Sequence, residues 1–129
     1  MKIIENVISD RGSKYAVAGG PAATREEAEA FLRELKRHKK FARATHNSWG
    51  VLFAVDGAIS PVKSDDGESG AGVVILRMLE RENLVNHIIV VTRWFGGKKL
   101  GGDRFRHVQT AVRHYLAENA TGLAGRPQG

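Results

Sequence analysis

Three short stretches hold residue types able to do chemistry. They are "RWFGGKKLGGDRFRH" from Arg93 to His107, "SDDGE" with Asp65, Asp66 and Glu68, and "THNSW" with His46 and Asn47. In the first, two glycine pairs, two lysines and three arginines surround a short apolar core. Gly96, Gly97, Gly101 and Gly102 permit close backbone approach. The helix expected directly after them offers free N–H groups and a positive dipole end to an anion. Arg93, Lys98, Lys99 and Arg104 add formal charge. However, no Ser or Thr follows a Gly-Lys pair, so this is not a Walker A loop, and G-x-G-x-x-G spacing is absent. Asp103, expected as the N-cap, would also fill the helix entrance with its own carboxylate. Anion binding and a structural turn with solvated lysines both stay open on these residues.

Paired carboxylates such as Asp65, Asp66 and Glu68 can bind Mg²⁺ or do acid/base work. Asp-Asp-Gly is equally a turn, Asp66 or Ser69 can cap the next helix, and the acids can pair with Arg93 or Arg104. EF-hand spacing is absent. His46 and Asn47 stand before a strand, where they either orient a ligand or close hydrogen bonds between loops. His38, His87, His107 and His114 lack metal-ligand spacing. With no cysteine in the chain, thiolate sites and cysteine nucleophiles are excluded, and no nucleophile–base–orienter set is readable. No catalytic residue, metal or cofactor is therefore expected.

The elements that must position these loops are legible from period and punctuation. "KIIENVIS" and "SKYAVAG" read as strands around the turn cluster "SDRGS". Thr24 and Glu27 form a capping box ahead of an apolar stripe at Ala28, Phe31, Leu32 and Leu35. That helix ends in "KRHKK", where cations oppose the negative dipole end. "SWGVLFAV" and "AISPV" make a hairpin across Asp56-Gly57, and Pro61 places its second strand at an edge. After "SDDGESGAG" comes a helix with Val74, Ile75, Met78 and Leu79 facing inward. "HIIVVT" is a continuous apolar run, expected as a central strand covered on both faces. A last helix from Asp103 to Glu118 packs by Phe105, Val108, Val112, Tyr115 and Leu116. It shows Arg106, Thr110, Arg113 and His114 on its other side. This order, β-β-α-β-β-α-β-α, predicts an α/β chain with one mixed sheet of four to five strands packed against helices. A single domain spans 1–118, and residues 119–129 form a flexible tail.

Composition is that of a soluble globular protein: 129 residues, 42% hydrophobic and 26% charged. "MKIIENVIS" lacks the apolar run of a signal peptide, and no stretch nears the ~18 apolar residues that span a bilayer. A cytoplasmic protein is expected. The formal net charge of +6 makes an acidic partner or nucleic acid plausible, though solubility alone also accounts for it.

"ATHNSWG", "DDGESGAG" and "VVTRWFGGKKLGGDRFRHVQTAVRHYL" resemble, in order, three signature blocks of the IMPACT family, the amino-terminal domain of YigZ-type proteins. The resemblance covers Ser13 to Leu116, and its motif spacing is closer to the eukaryotic form. Trp49 holds the aromatic place after "HN", but Gly50-Val51 follow where the family has Ala-Tyr. The second domain of relatives has no counterpart after or before these blocks. The resemblance implies a two-layer (α+β) domain like the second domain of ribosomal protein S5, and no established reaction. It also implies a translation-regulatory role through a protein partner, the ribosome-associated activator of the amino-acid-starvation kinase; the alternative is binding of structured RNA. Arg93, Lys98, Lys99, Arg104, Arg106 and Arg113 are the expected partner- or anion-binding cations. His46, Asn47, Asp65, Asp66 and Glu68 are the expected motif-loop residues.

Overall fold

The computed structural model describes residues 1–124. Its elements are β1 (Lys2–Asp10), β2 (Ser13–Pro21), α1 (Arg25–Lys36), α2 (Lys39–Ala42), β3 (His46–Val55), β4 (Ala58–Ser64), α3 (Ala71–Arg81), β5 (His87–Trp94) and α4 (Asp103–Ala124). The expected α/β class with helices against one sheet is what forms. The short α2, with Phe41 buried, is the element that no sequence period announces, since one turn is shorter than any helical repeat.

The five strands lie in the order β1-β2-β5-β3-β4. Every pairing is antiparallel, so the expected mixed sheet is corrected. β5 does sit centrally, and the Pro61 strand β4 is an edge. Asp56 (φ 49°) and Gly57 (φ 79°) are both left-handed, the backbone of a tight hairpin turn. Thr24 Oγ1 accepts the Glu27 N–H at 3.1 Å, while the Glu27 carboxylate reaches the N–H of Ala23 at 3.3 Å.

Alternation along the strands splits the sheet into two apolar faces. Tyr15, Val17, Leu52, Ile89 and Val91 pack with α3 and α4. Ala16, Ala18, Trp49, Val51, Phe53, Ile88 and Val90 pack with α1 and Phe41. Both faces are thus covered by helices, and the expected two layers become three. β5 is apolar on both sides for that reason.

α4 runs past Glu118 to Ala124. The tail expected from residue 119 therefore begins inside this helix, and residues 125–129 lie outside the described residues. Among the described residues no helix is long and apolar enough to cross a membrane.

Candidate functional site

At one end of the sheet three loops meet: the entry to β3, the β4–α3 loop and the β5–α4 loop. Backbone pairing sets His46 opposite Arg93 and Tyr15 opposite Arg93 on its other flank. Gly96 closes this end. A Cβ there would lie 2.1 Å from the Gly12 carbonyl carbon and 2.4 Å from Ser13 N, so only glycine lets the β5–α4 loop rest on the β1–β2 turn.

The centre of the site is an ion cluster. Arg93 Nη1 donates to both Glu68 oxygens, at 2.9 and 3.2 Å, and Arg104 Nη1 donates to Glu68 Oε1 at 3.4 Å. The side chains of Arg93 and Glu68 are 5% and 4% exposed, that of Arg104 29%. Arg93 Nη2 reaches Ser13 Oγ at 3.4 Å, its guanidinium lies 5.8 Å from the Tyr15 ring centre and 5.6 Å from that of Phe95, and its Nε has no partner. Burial pushes the Tyr15 hydroxyl up to about 12, which keeps it neutral beside the pair.

The other two acids bond to backbone. Asp65 accepts the N–H groups of Gly70 at 3.1 Å and Gly72 at 2.8 Å. Burial opposes its charge, but these two bonds and nearby Lys63 outweigh that and hold the carboxyl below its ordinary range. Asp66 Oδ2 accepts the Asn47 N–H at 2.7 Å. His46 Nδ1 meets the Asp66 carbonyl at 2.8 Å. Asn47 donates to the Phe41 carbonyl and accepts from Thr92 Oγ1. The motif-loop residues His46, Asn47, Asp65, Asp66 and Glu68 thus close hydrogen bonds between loops. Among the described residues no three His, Asp or Glu side chains are grouped to hold a metal.

Over the cluster opens a depression of about 490 Å³, lined by Thr45, His46, Glu68, Arg93, Phe95, Lys99, Leu100, Gly101 and Arg104. All three sequence blocks contribute to it. Phe95 is 48% exposed, Leu100 is buried, and Lys99 stands exposed at the rim. Its charged groups are three cations against one carboxylate that two guanidiniums already share. The arrangement can hold an acidic group against Lys99 and the free edge of Arg104, with an apolar neighbour on Phe95.

The Impact N-terminal domain family matches residues 11–116. The chain belongs to the IMPACT family. It is 34% identical to the Protein IMPACT homolog of Caenorhabditis elegans over 120 residues, 90% of this chain and 47% of that protein. It is 35% identical to Protein IMPACT of Mus musculus over 86% of this chain and 36% of the mouse protein. The two-domain translational regulator Yih1 superimposes with a TM-score of 0.55 at 32% identity, over 90% of this chain and 44% of that one. The crystal structure of a hypothetical protein gives a TM-score of 0.76 at 24% identity, over 89% of this chain and 57% of that one, and shares the fold. The chain spans under half the length of the curated IMPACT relatives named here.

Within this IMPACT domain the six expected contact cations do not form one surface. Arg93 is buried and paired with Glu68, the alternative expected for it beside partner or anion binding. Arg104 and Lys99 line the depression, with exposed Lys98 beside it. Arg106 is exposed and pairs with Asp103 at 3.4 Å. Arg113 lies farther along α4, in a groove with Met78, Arg81 and Leu116. Asp103, expected as an N-cap, is the first residue of α4, and its carboxylate is taken by Arg11 at 2.5 Å and by Arg106. Phe105, expected inward, is 39% exposed and lies against Gly70.

Sequence reasoning missed Ser13, Tyr15, Thr45 and the pairing of His107 with Asp10 at 2.8 Å. Hydrogen bonds from Arg11 and His107 hold the Asp10 carboxyl below its ordinary 3.8. Only the "SDRGS" turn cluster marked that neighbourhood, and it carries no sign of what the turn touches.

Proposed function

We propose that this IMPACT domain is a non-catalytic docking module of translation control. It acts through a protein partner of the ribosome and starvation-kinase pathway that offers an acidic group to the depression over Arg93, Glu68 and Arg104. The observation that carries this reading is the convergence of all three motif loops on one cationic depression whose one lining acid, Glu68, is already paired. Asp65 and Asp66 accept backbone N–H groups and Glu68 is shared by two arginines. The one acid that lines the depression, Glu68, is buried and shared between Arg93 and Arg104, so among the described residues no exposed carboxylate stands in its lining to serve as a general base. What remains available is Lys99, Lys98, the outer edge of Arg104 and the ring of Phe95, a cation and aromatic pairing suited to protein contacts. The kinship with IMPACT proteins and with a translational regulator supports translation control as the setting.

The test is capture from nuclease-treated native extract with wild type and with the exposed double variant Lys98→Glu/Lys99→Glu, together with protein synthesis in a cell-free system starved of amino acids. Wild type should retain a ribosome-associated protein and alter synthesis, and the double variant should do neither. Equal capture and equal effect by the variant would reject the depression as the docking site.

A further inference from the structure

On the opposite face of the sheet, at the same end, lies a second cationic feature. Alternation along β5 turns Trp94 away from Arg93 and toward α2. Its indole meets Phe41 edge-on at 5.3 Å, and its Nε1–H donates to the Lys40 carbonyl at 2.9 Å. The polar atom of the ring is therefore satisfied, and its half-buried remainder offers only apolar ring surface. The β1 ladder breaks between Ile4 and Ile8, with Asn6 in the left-handed region at φ 54°. A cleft of about 450 Å³ opens there, lined by Asn6, Lys14, Lys40 and Trp94.

Charge around this cleft is mainly positive, with the Glu5 carboxylate held by Lys40 at its edge. From residue 36 to residue 55 the chain contains no Asp or Glu. Lys36, Arg37, Lys39, Lys40 and Arg43 are all exposed. Arg37 pairs with Glu34, and Lys40 with Glu5. Among the described residues Lys14, Lys36, Lys39 and Arg43 have no carboxylate within ion-pair distance.

We infer that this corner binds single-stranded nucleic acid, one nucleotide seated in the Asn6–Lys14–Lys40–Trp94 cleft and the phosphate backbone tracking over Lys36, Lys39 and Arg43. Ring surface stacks a base. The Asn6 amide both donates and accepts, as a base edge requires. Lys14 lines the cleft beside the ring, and Lys40 Nζ lies over the ring 5.4 Å from its centre, so it must swing aside to a phosphate as a base stacks. The cleft volume falls in the range of small-molecule pockets. An acidic peptide would use the cations but has no need of the ring or the amide. Duplex is disfavoured because its bases are already stacked. This site is independent of the docking reading above, since none of its residues lines the other depression.

The probes are fluorescein-labelled oligouridylate and oligothymidylate of about ten nucleotides, read by anisotropy across a salt series. Wild type should bind both at ~50 mM salt, with a log–log slope near −3 for four to five phosphate contacts. Preference for the uridylate would name RNA as the source. Unlabelled oligomer should quench the emission of Trp94, because Trp49 is buried in the core. The exposed triple variant Lys36→Glu/Lys39→Glu/Arg43→Glu should lose at least ~10-fold in affinity, and Lys98→Glu/Lys99→Glu should lose less than ~3-fold, as expected when only the former removes phosphate contacts. Trp94→Leu should weaken binding while keeping most of the salt slope. No binding at ~50 mM salt, no quenching, or equal losses in the two charge variants would overturn the proposal. So would polyglutamate binding as tightly as the oligomers.

Discussion

Replacing Glu68 by glutamine keeps its shape and removes its charge. In the folded chain Arg93 is 5% exposed at its side chain, and its Nε already lacks a partner. Glu68→Gln would leave that guanidinium buried beside a neutral amide. Breaking a buried pair by removing one partner costs about 3–5 kcal/mol. The amide oxygen still accepts one hydrogen bond, and Arg104, 29% exposed, can turn to water, so the lower end applies, about 3 kcal/mol. For a chain between the small and middle size classes this lowers Tm by roughly 10–15 °C. The assay is urea unfolding at constant m-value, run also on Glu68→Met, Arg93→Met and their combination. If the pair is coupled as described, the double variant should be more stable than the singles predict, by about 2 kcal/mol or more. A Glu68→Gln loss below about 1 kcal/mol, the scale of an exposed pair, would refute the reasoning, as would additive single losses.

Other outcomes follow from single positions. Gly96→Ala should be far more damaging than Gly97→Ala in thermal melts, because the first Cβ meets backbone at 2.1 Å and the second meets nothing within 4 Å. Gly97→Ala should cost only about 1 kcal/mol for its positive φ. His87 is held below its ordinary 6.5 by burial and then by the N-terminal charge. Its neutral ring is favoured in the fold, so its stabilising share is complete above pH 6.5 and declines as pH falls through that value toward the folded pKa. His87→Gln should flatten the melting temperature over that window. Asp65 titrates below its ordinary 3.8 in the fold. Its contribution is complete above that value and is lost as pH falls through the folded pKa, so Asp65→Asn should be less stable at neutral pH and show a shallower acid limb in the melting temperature.

Much of the fold could be read from local pattern. The Thr24–Glu27 box, the α1 stripe, the Asp56-Gly57 turn and the apolar β5 each rest on neighbours within a few residues, and each forms where expected. Trp94 and Arg93 show where reading stops. Adjacent in sequence, they point to opposite faces, and the loop cations grouped with them scatter accordingly. The Asp103 carboxylate was expected to cap its own helix, yet Arg11, distant in the chain and charged, takes it instead.

The residues alone determined which groups exist to interact: glycines at the β5–α4 loop, three acids in "SDDGE", a histidine–asparagine pair, no thiol, and an excess of cations. They also determined the five strands and the three longer helices, because these depend on local backbone preference and short apolar periods, whereas the one-turn α2 does not. Tertiary structure alone decided partnership. Whether Arg93 meets solvent or Glu68 depends on strand order, which brings β2, β5 and β3 side by side across more than eighty residues of chain. Ion pairs, close backbone contacts and clefts form between segments far apart in sequence, and no local pattern encodes their distance.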